Sequence, residues 1–188
     1  MQPITLLRST LERCGEKNHC LFSLEDFLSL FPDFTVENLR MLLSRCAQRG
    51  ILERVCKGIY LYPKADYDSS LLLFAVAAKL RCAHFNYVSF ETVLSRHGLI
   101  SQLPLGWIVV MTRGRRGIIN CGRFGSVEFI HTQNVSEKSL SQLHLDSATG
   151  MWWASPQLAL QDMKKARRPL DLVEGKALRL KVGPEASQ

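Results

Sequence analysis

Between Asn38 and Lys64 the chain carries the cations Arg40, Arg45, Arg49, Arg54, Lys57 and Lys64 against a single carboxylate, Glu53. An arginine reads guanine through two parallel hydrogen bonds, and a glutamine reads adenine in the same way. Arg40, Ser44, Arg45, Gln48 and Arg49 fall off an apolar stripe made of Val36, Leu39, Leu43 and Cys46, so base-reading side chains are expected on the exposed face of one helix. Asn38 and Met41 lie in its N-terminal half, the end that approaches bases when such a helix enters a major groove. Arg54 and Lys57 follow in a β-prone stretch, where they would meet neighbouring phosphates. Double-stranded DNA is the partner this pattern predicts. A solvated face used for protein contact is the alternative that the same residues allow.

A second cluster is Thr112-Arg113-Gly114-Arg115-Arg116-Gly117, with Arg123 close in sequence. Arg113, Arg115, Arg116 and Arg123 would create a strong local field suited to phosphate or RNA. A hairpin turn that only keeps the surface polar fits the same residues equally well. Lys164–Arg168 needs no ligand, because cations complement the negative end of a helix.

Catalytic and metal chemistry find little support. His97 precedes Gly98 at a helix end, where capping explains it. His19, His84, His131 and His144 show no ligand spacing, and the chain contains no Gly-x-Ser-x-Gly, Walker-type or H-E-x-x-H motif. Cys14, Cys20, Cys46, Cys56, Cys82 and Cys121 form no C-x-x-C pair. Asp66 and Asp68 read as solvated linker carboxylates. No catalytic residue, no metal and no cofactor is therefore expected, and the chain reads as a binding protein, not an enzyme. The net charge of +7 agrees with a polyanionic partner but does not choose one. The longest apolar run, Leu71–Ala78, is far shorter than the ~20 residues that cross a bilayer. The first residues do not resemble a signal peptide, so a cytoplasmic protein with reduced thiols and no membrane partner is expected.

The elements that must position these residues can be traced along the chain. Ile4–Cys14 has helical spacing. Ser23 precedes Glu25 and Asp26, an N-cap pattern for a short helix reaching about Phe31. Pro32–Phe34 turns the chain, and Thr35 or Asp33 caps a third helix that runs to about Arg49. Ile51–Val55 and Ile59–Tyr62 read as strands around Cys56-Lys57-Gly58, with Gly58 supplying the positive φ of a tight turn. After a polar stretch at 64–70, Ser69–Cys82 reads as an apolar helix packing under strands near Trp107–Thr112. Ser89–His97 reads as a helix capped by Ser89. Trp107–Thr112, Gly117–Cys121 and Ser126–His131 read as strands, Met151–Trp153 as a buried strand, and Ser155–Arg167 as a final helix with Pro156 in its first turn. The tail from Val182 is expected to fray. The predicted fold is α+β, with an N-terminal winged helix-turn-helix over residues 3–64 and a smaller mixed α/β domain over 69–181.

Three segments then carry a resemblance. Tyr87-Val88-Ser89-Phe90-Glu91-Thr92-Val93-Leu94-Ser95-Arg96-His97-Gly98-Leu99 resembles the "Y-[IV]-S-x-x-[ST]-[AV]-L-x-x-H-G-L" segment of the AbiEi antitoxin family. Trp153-Ala154-Ser155-Pro156-Gln157-Leu158-Ala159-Leu160-Gln161-Asp162-Met163 is similar to that family's "A-[ST]-P-E-R-A-L-L-D-[LM]" helix, departing from it at Gln157 and Leu158. Leu52–Tyr62, with its Lys57-Gly58-Ile59-Tyr60, resembles its wing. The segments keep the family order across about residues 3–173. The resemblance implies a bacterial toxin–antitoxin system. Its winged helix represses its own operon at promoter DNA, usually at inverted repeats. The rest of the chain counteracts an AbiEii-like nucleotidyltransferase toxin, with or without touching it, in a role linked to phage defence. A stand-alone transcriptional regulator whose second region dimerises or senses is the alternative reading.

Overall fold

The computed structural model describes residues 3–14, 19–100, 106–133, 135–171 and 173. Gly15, expected to end the first helix, the tail from Val182 and the expected domain end at 181 lie outside the described residues. The fold is mixed α+β, with seven α-helices and two sheets among the described residues. It divides into two compact units. The first holds residues 1–80 together with 121–124, and the second holds 81–120 and 125–188.

The first unit begins with α1 (Pro3–Cys14), whose Leu7 and Leu11 are fully buried. A short strand, β1 (Leu21–Ser23), leads directly into α2 (Leu24–Leu30). Ser23 builds a complete capping box: its hydroxyl accepts from the Asp26 amide at 3.1 Å, and the Asp26 carboxylate accepts from the Ser23 amide at 2.7 Å. After the turn, Thr35 caps α3 (Val36–Gln48) by accepting from the Asn38 amide. The buried face of α3 is Leu39, Leu42, Leu43 and Cys46, while Val36 is only half-buried. The hairpin is β2 (Glu53–Cys56) and β3 (Ile59–Leu61), joined through Gly58 at φ +83°. Strand order is β1-β3-β2. β1 was not legible as a strand because only three residues form it. It lies antiparallel to β3, pairing Leu21 with Leu61 and Ser23 with Ile59. The Leu24 amide donates to the Gly58 carbonyl at 3.0 Å, which ties the hairpin turn to the start of α2.

The apolar helix α4 (Leu72–Leu80) belongs to this first unit, whereas the sequence suggested that it forms part of the second region, packed under the later strands. Its Lys79 pairs with Asp26 at 2.8 Å. Together with the ordinary hydrogen bonds of the capping box, that ammonium outweighs desolvation and holds the Asp26 carboxyl below its usual range. The polar stretch at 64–70 therefore does not separate the two compact units. The break falls at Leu80/Arg81.

The second unit is the larger of the two, contrary to the expected smaller domain. Its elements are β4 (Asn86–Val88), α5 (Phe90–Arg96), β5 (Trp107–Thr112), β6 (Gly117–Asn120), β7 (Ser126–His131), α6 (Glu137–Leu140), β8 (Leu143–Asp146), β9 (Met151–Ala154) and α7 (Pro156–Lys165). The strands form one mixed sheet in the order β6-β7-β5-β4-β9-β8. β5 pairs with β7 and β4 with β9 in parallel, and the other neighbours are antiparallel. Val88, Val110, Val127, Phe129 and Trp153 are buried in it, and helices α5 and α7 pack on each other. Trp153 is buried as expected for its strand, but Trp152 is 42% exposed. Ser155 caps α7 by accepting from the Leu158 amide at 3.1 Å, and Leu158 is fully buried, so an apolar residue fits that position.

Candidate nucleic-acid interface

In the first unit, α3 and the β2–β3 hairpin enclose an open groove of about 790 Å³. Arg40, Ser44 and Gln48 line it from α3, at helical spacings of four that place them on one stripe. Arg54 and Lys57 line it from the hairpin, and all five are exposed. Residues predicted from two separate segments thus share one surface. Leu24, Glu25, Ala47, Gly58 and Tyr60 also line the groove, and the sequence did not single them out for that role. Glu25 is there because the turn-to-helix hydrogen bond at Leu24 draws α2 onto the hairpin. Tyr60 is there because its strand lies between β1 and β2.

Met41, Arg45 and Arg49 form a neighbouring stripe one residue further along α3. They are exposed but are not among the groove-lining residues, and Met41 is 53% exposed. Asn38 is exposed in the first turn, where its amide is used by the Thr35 cap.

Glu53, the lone carboxylate of the basic stretch, is not among the residues that line the groove and is paired with Arg123. The guanidinium binds it with two hydrogen bonds, of 2.7 and 2.8 Å. Those bonds hold the Glu53 carboxyl below its usual range. This places Arg123 in the first unit, within the short turn Gly122–Phe124, whereas Arg113, Arg115 and Arg116 belong to the second.

In the second unit, Arg113, Arg115 and Arg116 are all exposed in the turn between β5 and β6. The turn is built tightly. The Gly114 amide donates to the Thr112 hydroxyl at 2.9 Å, and the Gly114 carbonyl meets His131 Nδ1 at 2.8 Å. A Cβ on Gly114 would stand 2.7 Å from the ring of the exposed His84, so a larger residue there would displace that ring. Arg81 stacks over the Phe129 ring at 4.5 Å and donates to the Arg115 carbonyl. Burial and the nearby Arg115 charge both pull the Arg81 pKa down, a sign that positive charge is concentrated here. Arg81, His84 and His131 were not assigned to this cluster from the sequence, since they lie on elements about 15 to 30 residues away.

Arg168 is not simply a cation at a helix end. It bridges Glu91, at 3.0 and 3.1 Å, and Glu128, over the Phe90 ring. Ser89 does not cap α5 with its side chain. Its hydroxyl instead donates to Asp162 at 2.7 Å, and the Tyr87 hydroxyl donates to the same carboxylate oxygen at 3.1 Å. All three residues are buried. Burial dominates and pushes the Asp162 carboxyl above its usual range, despite the two hydrogen bonds. The signal was present in the sequence: Asp162 sits on the stripe of α7 that contains Leu158, Ala159 and Met163. Its partners come from the other quoted motif segment, which gives both segments a shared structural basis.

Among the described residues no group of three or more His, Cys, Asp or Glu side chains could hold a metal ion, and no helix is long and apolar enough to cross a membrane. His97 closes α5 at its C-cap, with its amide bonded to the helix carbonyls. No protein-family model matches the chain, and no curated protein sequence matches it either.

Proposed function

We propose that the first unit is a winged helix-turn-helix that binds double-stranded DNA, with α3 as the reading helix and the β2–β3 hairpin as the wing. The observation that carries this is the shared groove, in which Arg40, Ser44 and Gln48 face Arg54 and Lys57. Three cations and one carboxylate line it, a balance that suits phosphate, and the helix contributes side chains that read base edges. The order α1, β1, α2, turn, α3, hairpin also supports the reading, because a capped α2 followed by a short turn presents α3 outward.

The resemblance of the three quoted segments supports assigning the whole chain as an AbiEi-like antitoxin. In that role it represses its own operon at promoter inverted repeats and counteracts a nucleotidyltransferase toxin. It would act in the cytoplasm without catalysis. The exposed Arg113, Arg115 and Arg116 supply the surface for toxin neutralisation or nucleic-acid contact. The test is a growth assay in cells expressing an AbiEii-like nucleotidyltransferase toxin. The full chain should restore growth, and the Arg113→Ala/Arg115→Ala/Arg116→Ala variant, checked for folding, should lose most of that rescue. Full rescue by the triple variant would remove this surface from the account. Absence of rescue by the intact chain would leave a transcriptional regulator.

A further inference from the structure

A second cavity, of about 510 Å³, opens within the second unit. It is lined from the β5–β6 turn, β6, β7 and the residues after α7, by Arg116, Ile118, Glu128, Ile130, His131 and Arg168 among others. β6 is an edge strand, and Ile118 on it is 60% exposed. Ile118 stands opposite Glu128 in the register, and Ile130 is two residues further along β7, so the three share one face of the sheet. The two isoleucines form an apolar shelf beside a carboxylate. One oxygen of Glu128 accepts from Arg168, and the other accepts from the Trp107 indole at 3.3 Å. Each carboxylate oxygen has two acceptor positions, so one remains on each. Arg168 is committed to Glu128 and Glu91. Arg116 is exposed and makes no ion pair among the described residues. His131 meets the Gly114 carbonyl through Nδ1 at 2.8 Å. A carbonyl only accepts, so Nδ1 carries the hydrogen and Nε2 is the ring nitrogen left for a ligand.

We propose that this cavity binds a ribonucleoside phosphate, free or at the end of an RNA strand. The planar fork of Arg116 offers two parallel N–H donors, the arrangement that matches a phosphate. His131 Nε2 shares a proton with a further phosphate oxygen. Arg113 and Arg115, exposed in the same turn, add to the field that draws the anion to this end. A bare anion would leave the isoleucine shelf in water, whereas a nucleobase covers it and gains from the burial of apolar surface. Glu128 supplies the third contact, because a carboxylate accepts from ribose hydroxyls in nucleotide sites. It also repels phosphate, which fixes the direction of the ligand. Arg116 precedes Gly117, which pairs with Phe129, so it lies two positions along the strands from the level of Glu128, about 7 Å. A ribose 5′-phosphate covers that span. The volume falls within the range of about 300–1,000 Å³ found for small-molecule sites. The lining lies wholly in the second unit, so the inference stands apart from the DNA-binding groove of the first.

The experiment titrates the full chain, by calorimetry, with AMP, GMP, CMP and UMP, with their 2′-deoxy counterparts, with inorganic phosphate, and with a 5′-phosphorylated single-stranded RNA hexamer. Saturable binding of a ribonucleotide or of the hexamer is expected, and whichever binds more tightly identifies the source of the ligand. The deoxynucleotide should bind roughly tenfold more weakly, for the loss of a hydrogen bond to a charged group. Arg116→Ala should weaken binding by roughly 10–100-fold, and Ile118→Glu, which places a charge on the shelf, should abolish it. Both positions are exposed, and the comparison of ligands on the unmodified chain decides the matter even if a variant does not fold. Arg40→Ala with Gln48→Ala should leave nucleotide affinity unchanged, so loss of DNA binding and loss of this site are told apart. Inorganic phosphate bound as tightly as the nucleotides would overturn the proposal in favour of a plain anion site. So would parent-like affinity in Arg116→Ala and Ile118→Glu, or no saturation by any nucleotide or by the hexamer up to about 1 mM.

Discussion

Replacing Arg40 and Gln48 together by Ala should lower affinity for promoter DNA by roughly 10²–10⁴-fold, while the thermal unfolding midpoint stays close to that of the parent. Both side chains are exposed on one stripe of α3 and line the groove, so their loss removes no core contact. Each base-reading pair is worth about 1–3 kcal/mol, and the two residues stand eight positions apart, far enough to be nearly additive. Arg45→Ala should cost less, because Arg45 lies on the neighbouring stripe outside the groove. Fluorescence anisotropy on a labelled promoter fragment measures the change, and circular dichroism checks the fold. A double variant that binds as tightly as the parent would show that α3 is not the reading helix.

Asp162→Leu should destabilise the protein by about 2–4 kcal/mol, because it leaves the buried Tyr87 and Ser89 hydroxyls without their acceptor. Asp162→Asn keeps an acceptor oxygen and should be close to neutral. The two variants also separate by pH. Burial raises the Asp162 carboxyl in the folded state, so the folded protein retains a proton that the unfolded chain has released. The unfolded state binds fewer protons across that window, so this group makes stability fall as pH rises. The fall begins at the ordinary carboxylate value, about 3.9, and ends at the raised folded value. Urea unfolding from about pH 4 upward should show it in the parent, and Asp162→Asn should flatten that part of the profile. A profile that Asp162→Asn leaves unchanged would mean that the carboxyl ionises in place without penalty.

Much of the first unit could be read from residue type. Ser23 and Thr35 cap as expected because their hydroxyls have only the local amides to satisfy, and Gly58 turns because no side chain fits its φ easily. The basic stripe of α3 was legible for the same reason, since a helical period fixes which residues share a face. The short strands β1, β4 and β8 were not legible. Three or four residues carry no period, and their partners are distant: Leu21 pairs with Leu61, and Tyr87 with Met111 and Trp152. Ser89 looked like a cap and is an Asp162 donor, because a tertiary carboxylate competes with the local amide. α4 was assigned to the wrong neighbours because its apolar face specifies burial but not which partner. The pairing of Arg123 with Glu53 was not legible, because 70 residues separate the two in the chain.

Recognition of a DNA sequence by the groove between α3 and the hairpin is directly measurable. The most direct measurement is a titration of the full chain against the DNA upstream of its own gene and against a scrambled duplex of equal length, at several salt concentrations. The upstream DNA should bind at least 10³-fold more tightly, and both affinities should fall steeply with salt because Arg54 and Lys57 displace counterions. Equal affinity for the two duplexes, or affinity indifferent to salt, would contradict it.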